Sequence, residues 1–260
     1  MPGQNLRGFA ERVALVTGGA GGVGRAVALQ LALQGASVIV TFAPGDETGE
    51  RVANELRGMG TLAHAIGADV ARSEDVRRAF SIVGDTYGRL DLLVNAADVR
   101  RDAALEDLTE DDWDAVLNLS LKGAFLCSQA AMRLMLKRPS PAIVNVASES
   151  GMTGIGAGAN YVAAQAGLIG LTKILARDLA PGIRVNCVAA ADVEVSDVME
   201  QHATRVGLEN DATESVPTSL SHSIAPDEVA RACVYLLSSD ASSITGQTLV
   251  VSGRHRKDDR

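Results

Sequence analysis

Along the chain, short apolar runs rich in Val, Ile and Leu alternate with longer segments whose apolar positions recur at helical spacing. The runs at 13–16, 37–41, 62–66, 90–95, 142–147, 183–188 and 248–251 predict strands. The stretches 23–34, 47–59, 73–86, 110–137, 159–179 and 227–237 predict helices. Start signals support several of them: Ser73 with Asp75, Thr109 before Glu110-Asp111-Asp112, and Pro226-Asp227-Glu228. Gly35, Gly60, Gly88 and Gly182 punctuate the exits. Strands this uniformly apolar are covered on both faces. The pattern predicts an α/β chain: a single-domain, Rossmann-like, doubly wound parallel sheet of about seven strands with helices on both faces.

No internal repeat or low-complexity linker divides residues 1–260, so one domain is expected. The long polar segment 189–225, carrying His202 and His222, follows the sixth strand. Open α/β sheets bind ligands beyond the carboxyl ends of their strands, so this segment is expected to be a substrate lid. The two histidines read as surface residues rather than catalysts. The polar tail 254–260 is expected to be flexible.

Charge narrows the partners. Lys and Arg number 24 against 32 Asp and Glu, a net charge of −8, with no basic run to track a phosphate backbone or an anionic bilayer. Nucleic acid and membrane are therefore not expected as partners; a small-molecule substrate is. Cys127, Cys187 and Cys233 are odd in number, far apart and set in apolar runs, which reads as buried reduced thiols and no metal site. The N-terminus lacks an apolar signal region, and the expected location is cytoplasmic.

The first strand runs directly into Thr17-Gly18-Gly19-Ala20-Gly21-Gly22-Val23-Gly24 and then a helix. Glycines there permit a tight turn and the close approach of a pyrophosphate to backbone N–H groups, while the helix N-terminus favours the anion. A dinucleotide site is the reading this position supports.

Thr17, Gly18, Gly22 and Gly24 match the TGxxxGxG turn of the classical short-chain dehydrogenase/reductase family, which the chain resembles over almost its whole length. Gly67-Ala68-Asp69-Val70 resembles the family's adenine-contacting segment, and Leu93-Val94-Asn95-Ala96-Ala97 its LVNNAG strand end. Ser148 falls where the catalytic Ser belongs, and Tyr161, thirteen residues later, where the catalytic Tyr belongs. Val99-Arg100-Arg101-Asp102 is most similar to the β-ketoacyl carrier-protein reductases. The resemblance implies a cofactor, NADP or NAD, held by Thr17, Gly18, Gly22, Val23, Gly24, Asp69, Val70 and Asn95. It also implies a homodimer or homotetramer built on the long helices and the last strand.

The resemblance breaks at one corner. The family places a Lys four residues after the Tyr to depress its pKa; here that residue is Gln165. A unit charge about 4 Å away at an effective dielectric near 20 is worth on the order of 4 kcal/mol, and a neutral amide supplies none of it. Lys173 is no substitute, lying about 18 Å along the helix. The family's catalytic Asn is replaced by Ser120, the closing glycine of its NNAG by Asp98, and its Pro-Gly after the sixth strand by Ala190-Ala191. The Thr that touches the carboxamide in the family aligns with Val195. No acid or base ends the second strand to select a ribose diol or a 2′-phosphate, and cofactor binding is expected to be weakened or lost.

Three functions follow. The first is an enzyme repurposed for non-redox carbonyl chemistry (cyclisation, aldol addition, dehydration or isomerisation) on a ketide-like substrate. It would use Ser148 and Tyr161, with Gln165 and Ser120 beside them and Asp98, Asp192 or Glu149 as added acid/base groups. The second is a weak NAD(P)H-dependent ketoreductase; the third is a non-catalytic protein that binds nucleotide or a partner.

Overall fold

The computed structural model describes residues 8–191, 193 and 223–253. Asp192, Val195, His202, His222, the body of the expected lid and the tail 254–260 lie outside the described residues.

The chain runs β1 (Val13–Thr17), α1 (Gly22–Leu33), β2 (Ser37–Phe42), α2 (Thr48–Gly58), β3 (Ala63–Gly67), α3 (Ser73–Tyr87) and β4 (Leu92–Asn95). There follow α4 (Glu110–Val116), a π-helical turn (Leu117–Lys122), α5 (Gly123–Met135), β5 (Ala142–Ser148), α6 (Ser150–Thr153) and α7 (Ala159–Asp178). β6 (Arg184–Ala190), α8 (Pro226–Leu237) and β7 (Thr248–Val251) complete the described part. All strand pairs are parallel, in the order β3-β2-β1-β4-β5-β6-β7.

Alternate strand positions supply two cores. Ala14, Val16, Val38 and Val40 pack under α1, α2 and α8, whereas Leu15, Ile39, Leu93 and Ile143 pack under α3, α5 and α7. Each fully buried aliphatic side chain of this kind contributes about 1.5–3 kcal/mol. The direction of winding reverses between β1 and β4, whose ends align Thr17 with Asn95. In open sheets of this kind the ligand crevice lies at that point, along the carboxyl edge.

Four local differences from the sequence pattern have physical causes. The fourth strand starts at Leu92 because Asp91 turns inward, accepting the Val13 N–H at 2.9 Å and the Arg89 guanidinium at 2.6 and 2.8 Å. Ser73 is the first residue of α3, with Arg72 in the cap position, and Asp75 accepts the Asp69 N–H. The stretch 110–137 is not one helix: α4 and α5 are joined by the π-helical turn Leu117–Lys122, which contains Ser120. A short helix, α6, follows β5 directly. Thr109 caps α4 as expected, accepting the Asp112 N–H, and Glu228 accepts the Ala225 N–H at the start of α8.

Arg184 on β6 closes the C-terminus of α8, its guanidinium donating to the carbonyls of Leu236, Leu237, Ser238 and Ala241 at 2.8–3.3 Å. A fixed planar fork spans several carbonyls, where a point-like ammonium does not. Arg184→Ala is expected to cost about 2–3 kcal/mol in denaturant unfolding, and Arg184→Lys to recover only part of that loss.

Candidate active site

The dinucleotide half of the crevice begins where β1 ends. Gly18 and Gly22 have φ of +63° and +51°, and a Cβ on Gly18 would meet the Ala96 carbonyl oxygen at 2.8 Å. One on Gly24 would run into the Gly18 carbonyl. α1 starts after Gly21 with no side-chain cap on its first-turn N–H groups, which have no intrahelical acceptor. This cradle fits a pyrophosphate, and Gly18, Gly22, Val23 and Gly24 are the residues that would hold one.

Thr17 and Asn95 sit lower. The Thr17 hydroxyl accepts the Ala96 and Ala97 N–H groups at 3.0 and 3.1 Å, tying the β1 end to the loop after β4. Asn95 Nδ2 donates to Asn145 Oδ1 at 2.8 Å and Ser128 Oγ at 3.1 Å, and Asn145 passes the chain on to Thr172 on α7. Asn95 thus joins β4, β5, α5 and α7 beneath the crevice. Asp69 Oδ1 accepts the Ala71 N–H, and Val70 is buried against Gly123.

The other half of the candidate site is organised by Asp98. Its Oδ1 accepts from Ser120 Oγ at 2.6 Å and Gln165 Nε2 at 3.0 Å, and its Oδ2 accepts from Tyr161 Oη at 2.6 Å. The Val99 N–H also donates to this carboxyl. Ser120, Tyr161 and Gln165 are buried; Asp98 keeps an exposed edge at the crevice, while its carboxyl oxygens turn inward onto these donors. Gln165 is fixed at its other end, where Oε1 accepts the Ser148 N–H at 3.0 Å. The π-helical turn presents Ser120 to Asp98, while Asn118, two residues earlier, accepts from Lys122 instead.

Ser148 Oγ accepts from the Ser150 N–H at 3.2 Å and the Ser150 hydroxyl at 2.9 Å. With those two bonds accepted, the Ser148 hydroxyl proton is left to serve a third group. Glu149 sits at the start of α6, its N–H on the Ala190 carbonyl, and no bond joins it to Asp98 among the described residues.

The electrostatics follow from this geometry. Surrounding protein desolvates Asp98 and raises its pKa above the ordinary 3.8, opposed by the donors Ser120, Tyr161, the Val99 N–H and Gln165. Burial raises Tyr161 well above 10, and the charge and hydrogen bond of Asp98 push it further. Arg100 opposes that shift, its guanidinium carbon 5.0 Å from the Tyr161 ring centre, while it is bound to Asp102 and the Gly156 carbonyl. Tyr161 is therefore a proton donor and not a base near neutrality. Burial raises the thiols of Cys127 and Cys187 to about 12, as inert reduced cysteines require.

Ser148, Tyr161, Gln165, Ser120 and Asp98 thus meet in one hydrogen-bonded group. Ser150 was not legible as part of it, because its signal is only a hydroxyl two residues past Ser148 at a strand-to-helix turn. Asp98 stood out as an added carboxylate, but its three side-chain donors are spread along the chain and only the fold brings them together.

Because the folded state binds a proton on Asp98 more tightly than the unfolded chain, ionised Asp98 subtracts stability, and stability is regained as pH falls towards its raised pKa. The melting temperature of the parent is expected to rise relative to that of Asp98→Asn as pH falls from 7 towards ~4. Thermal unfolding across that range checks it.

The comparisons agree with this architecture. The family model described as enoyl-(acyl carrier protein) reductase matches residues 18–253. The 3-oxoacyl-[acyl-carrier-protein] reductase FabG of Staphylococcus aureus is 41% identical over 241 residues, covering 92% of this chain and 96% of the relative. The FabG of Thermotoga maritima is 36% identical over 248 residues, covering 93% and 96%. A short-chain dehydrogenase from Burkholderia cenocepacia, solved in complex with NADP, superposes with a TM-score of 0.82 at 34% identity, covering 96% of this chain and 99% of its own. With a dinucleotide cradle at the sheet's switch point and relatives matching nearly end to end, the chain belongs to the short-chain dehydrogenase/reductase family.

Proposed function

We propose that this family member is a carbonyl-directed acid–base enzyme in which Asp98 and Tyr161, rather than a Tyr and a Lys, handle the proton. Its substrate class is a 3-oxoacyl-type or ketide-like small molecule. The observation that carries the reading is the 2.6 Å hydrogen bond from Tyr161 to Asp98, a carboxyl that Gln165 also meets at 3.0 Å.

The chemistry open to these groups is proton transfer beside a carbonyl. Asp98 removes a proton from the carbon α to the carbonyl, so that the C–H bond breaks and an O–H bond forms on the carboxyl. The protonated carboxyl then donates to the Tyr161 oxygen, freeing the Tyr161 proton for the enolate oxygen, which Ser148 also holds. Ser150 orients Ser148 for that task, and Gln165 and Ser120 fix the carboxyl. Reprotonation elsewhere gives isomerisation, loss of a β-hydroxyl gives dehydration, and attack on a second carbonyl gives aldol addition. No electrons leave the substrate.

A second reading, an NAD(P)H-dependent ketoreductase, is favoured by the pyrophosphate cradle and by the 3-oxoacyl reductases among the relatives. NADP(H), if bound, supplies hydride. Under this reading Tyr161 gives the proton and Asp98 returns one to it. Exposed Leu249 and Val250 on the edge strand β7, with Phe125 on α5 and Ile174 on α7, fit a homo-oligomeric assembly in either case. No helix among the described residues is long and apolar enough to cross a membrane.

The first test is hydrogen–deuterium exchange at the α-carbon of a 3-oxoacyl thioester, followed by NMR in mildly acidic deuterated buffer. Exchange above the buffer rate, without NADPH oxidation and lost in Asp98→Asn, is expected; stoichiometric NADPH oxidation with no added exchange would establish the reductase reading instead. The second test is reconstruction. Gln165→Lys alone pairs the new ammonium with Asp98 and is expected to leave NADPH-dependent carbonyl reduction within about threefold of the parent. Asp98→Gly, Gln165→Lys and Ser120→Asn together are expected to raise it about 100-fold or more. A single Gln165→Lys that restores full turnover contradicts the role given to Asp98.

A further inference from the structure

Tyr161 is held at three points. Its backbone N–H donates to Asn160 Oδ1 at 2.8 Å, and the buried Asn160 amide donates in turn to the carbonyls of Arg101 and Asp112 at 2.9 and 3.2 Å. Its hydroxyl donates to Asp98. Its ring faces the Arg100 guanidinium, whose carbon lies 5.0 Å from the ring centre. Resting on Tyr161 as the proton donor, a role common to both readings above, we infer that Arg100 is a positioning residue. Clamped over the ring, it sets the phenol against Asp98 and favours the moment at which the phenol has given up its proton.

The clamp joins two loops. Arg100 Nε and Nη2 donate to Asp102 Oδ2 at 3.0 and 2.7 Å, and Nη2 also donates to the Gly156 carbonyl at 2.9 Å. Asp102 Oδ1 accepts the Gly158 N–H at 3.0 Å. Arg100 and Asp102, from the loop after β4, thereby tie down the segment 154–158 that leads into α7. Gly154 and Gly156 have φ of +73° and +84°, and nothing stands within 4 Å of where a Cβ on either would be. These bonds, and not packing around the glycines, fasten the segment to the β4 loop. The side chains of Arg100 and Asp102 are each 39% exposed, and so wet an ion pair adds little to stability. What it fixes is the place of the guanidinium. Arg101, next in the chain, turns to Asp112 at 3.3 Å instead.

Among the described residues, the charged groups bearing on Tyr161 are Asp98, Arg100 and Asp102. The apolar side chains clustered with it include Val99, Val116, Leu121 and Ala164. A cation over an aromatic face is attracted to it, and this resists rotation of the ring away from Asp98. As the Tyr161 proton passes to the substrate oxygen, negative charge grows on the phenol oxygen until Asp98 returns a proton. The attraction to Arg100 grows with that charge, so it is stronger in the transition state than in the ground state. Its effect therefore belongs in kcat and not in KM.

The test is a double-mutant cycle read on the Asp98 carboxyl carbon resonance, in protein labelled at aspartate. Arg100→Met keeps the apolar stem and removes the fork. It is expected to raise the Asp98 titration midpoint, because the Tyr161 donor is held less firmly, and to add no further rise in a Tyr161→Phe background. A midpoint indifferent to Arg100→Met, or moved equally in both backgrounds, overturns the assignment. That measurement needs no turnover, and thermal unfolding of Arg100→Met should stay close to that of the parent. In whichever reaction the parent performs, α-carbon exchange or NADPH oxidation, Arg100→Met should lower kcat about tenfold with KM within about threefold. Arg100→Lys should recover part of that loss, and Arg101→Met should match the parent. A rise in KM at unchanged kcat would make Arg100 a substrate contact and overturn the role given to it. A parent with neither activity overturns the reading of the reaction, and the Asp98 cycle still decides Arg100.

Discussion

The hydrogen bond from Tyr161 to Asp98 is the constraint around which the rest of the site is arranged. A phenol in a buried position keeps its proton, and a carboxylate beside it makes ionisation costlier still. The same carboxylate gathers Ser120 from the π-helical turn and Gln165 from α7, and Gln165 carries the connection to Ser148 at the end of β5. Four segments of the fold are thereby joined through one ionisable side chain. Gln165 brings no charge to this corner and Asp98 brings a carboxyl, so neither draws the proton off the Tyr161 hydroxyl.

The two halves of the crevice are held by different forces. The pyrophosphate cradle is held by sterics: Gly18 and Gly24 have no room for a Cβ, and Thr17 locks the turn to the β4 loop. Such a turn persists as long as the sheet does, whatever happens at the reacting carbon. The reacting corner depends on charge, which can be rewritten by a few side chains without moving the backbone. A scaffold of this kind changes its proton chemistry more readily than it loses its nucleotide cradle, and fold membership leaves the reaction to be argued from the site.

Much of this was legible in the chain, for identifiable reasons. Strands buried on both faces have a strong apolar signal, and the seven runs lie within about two residues of the observed strands. The break at Leu117–Lys122 was not legible, because a single π-helical turn leaves the apolar spacing of α4 and α5 nearly intact. Asp98, Ser120 and Gln165 stood out singly; that they bond to one another did not, since the contacts join positions 22 and 67 residues apart.

The most direct measurement is the carboxyl carbon resonance of Asp98, followed by NMR in protein labelled at aspartate and compared with Tyr161→Phe. The account predicts a titration midpoint above the ordinary 3.8 in the parent, and a further upward move when the Tyr161 donor is removed. A midpoint in the ordinary carboxylate range that ignores Tyr161→Phe would contradict the coupling on which the proposed chemistry rests.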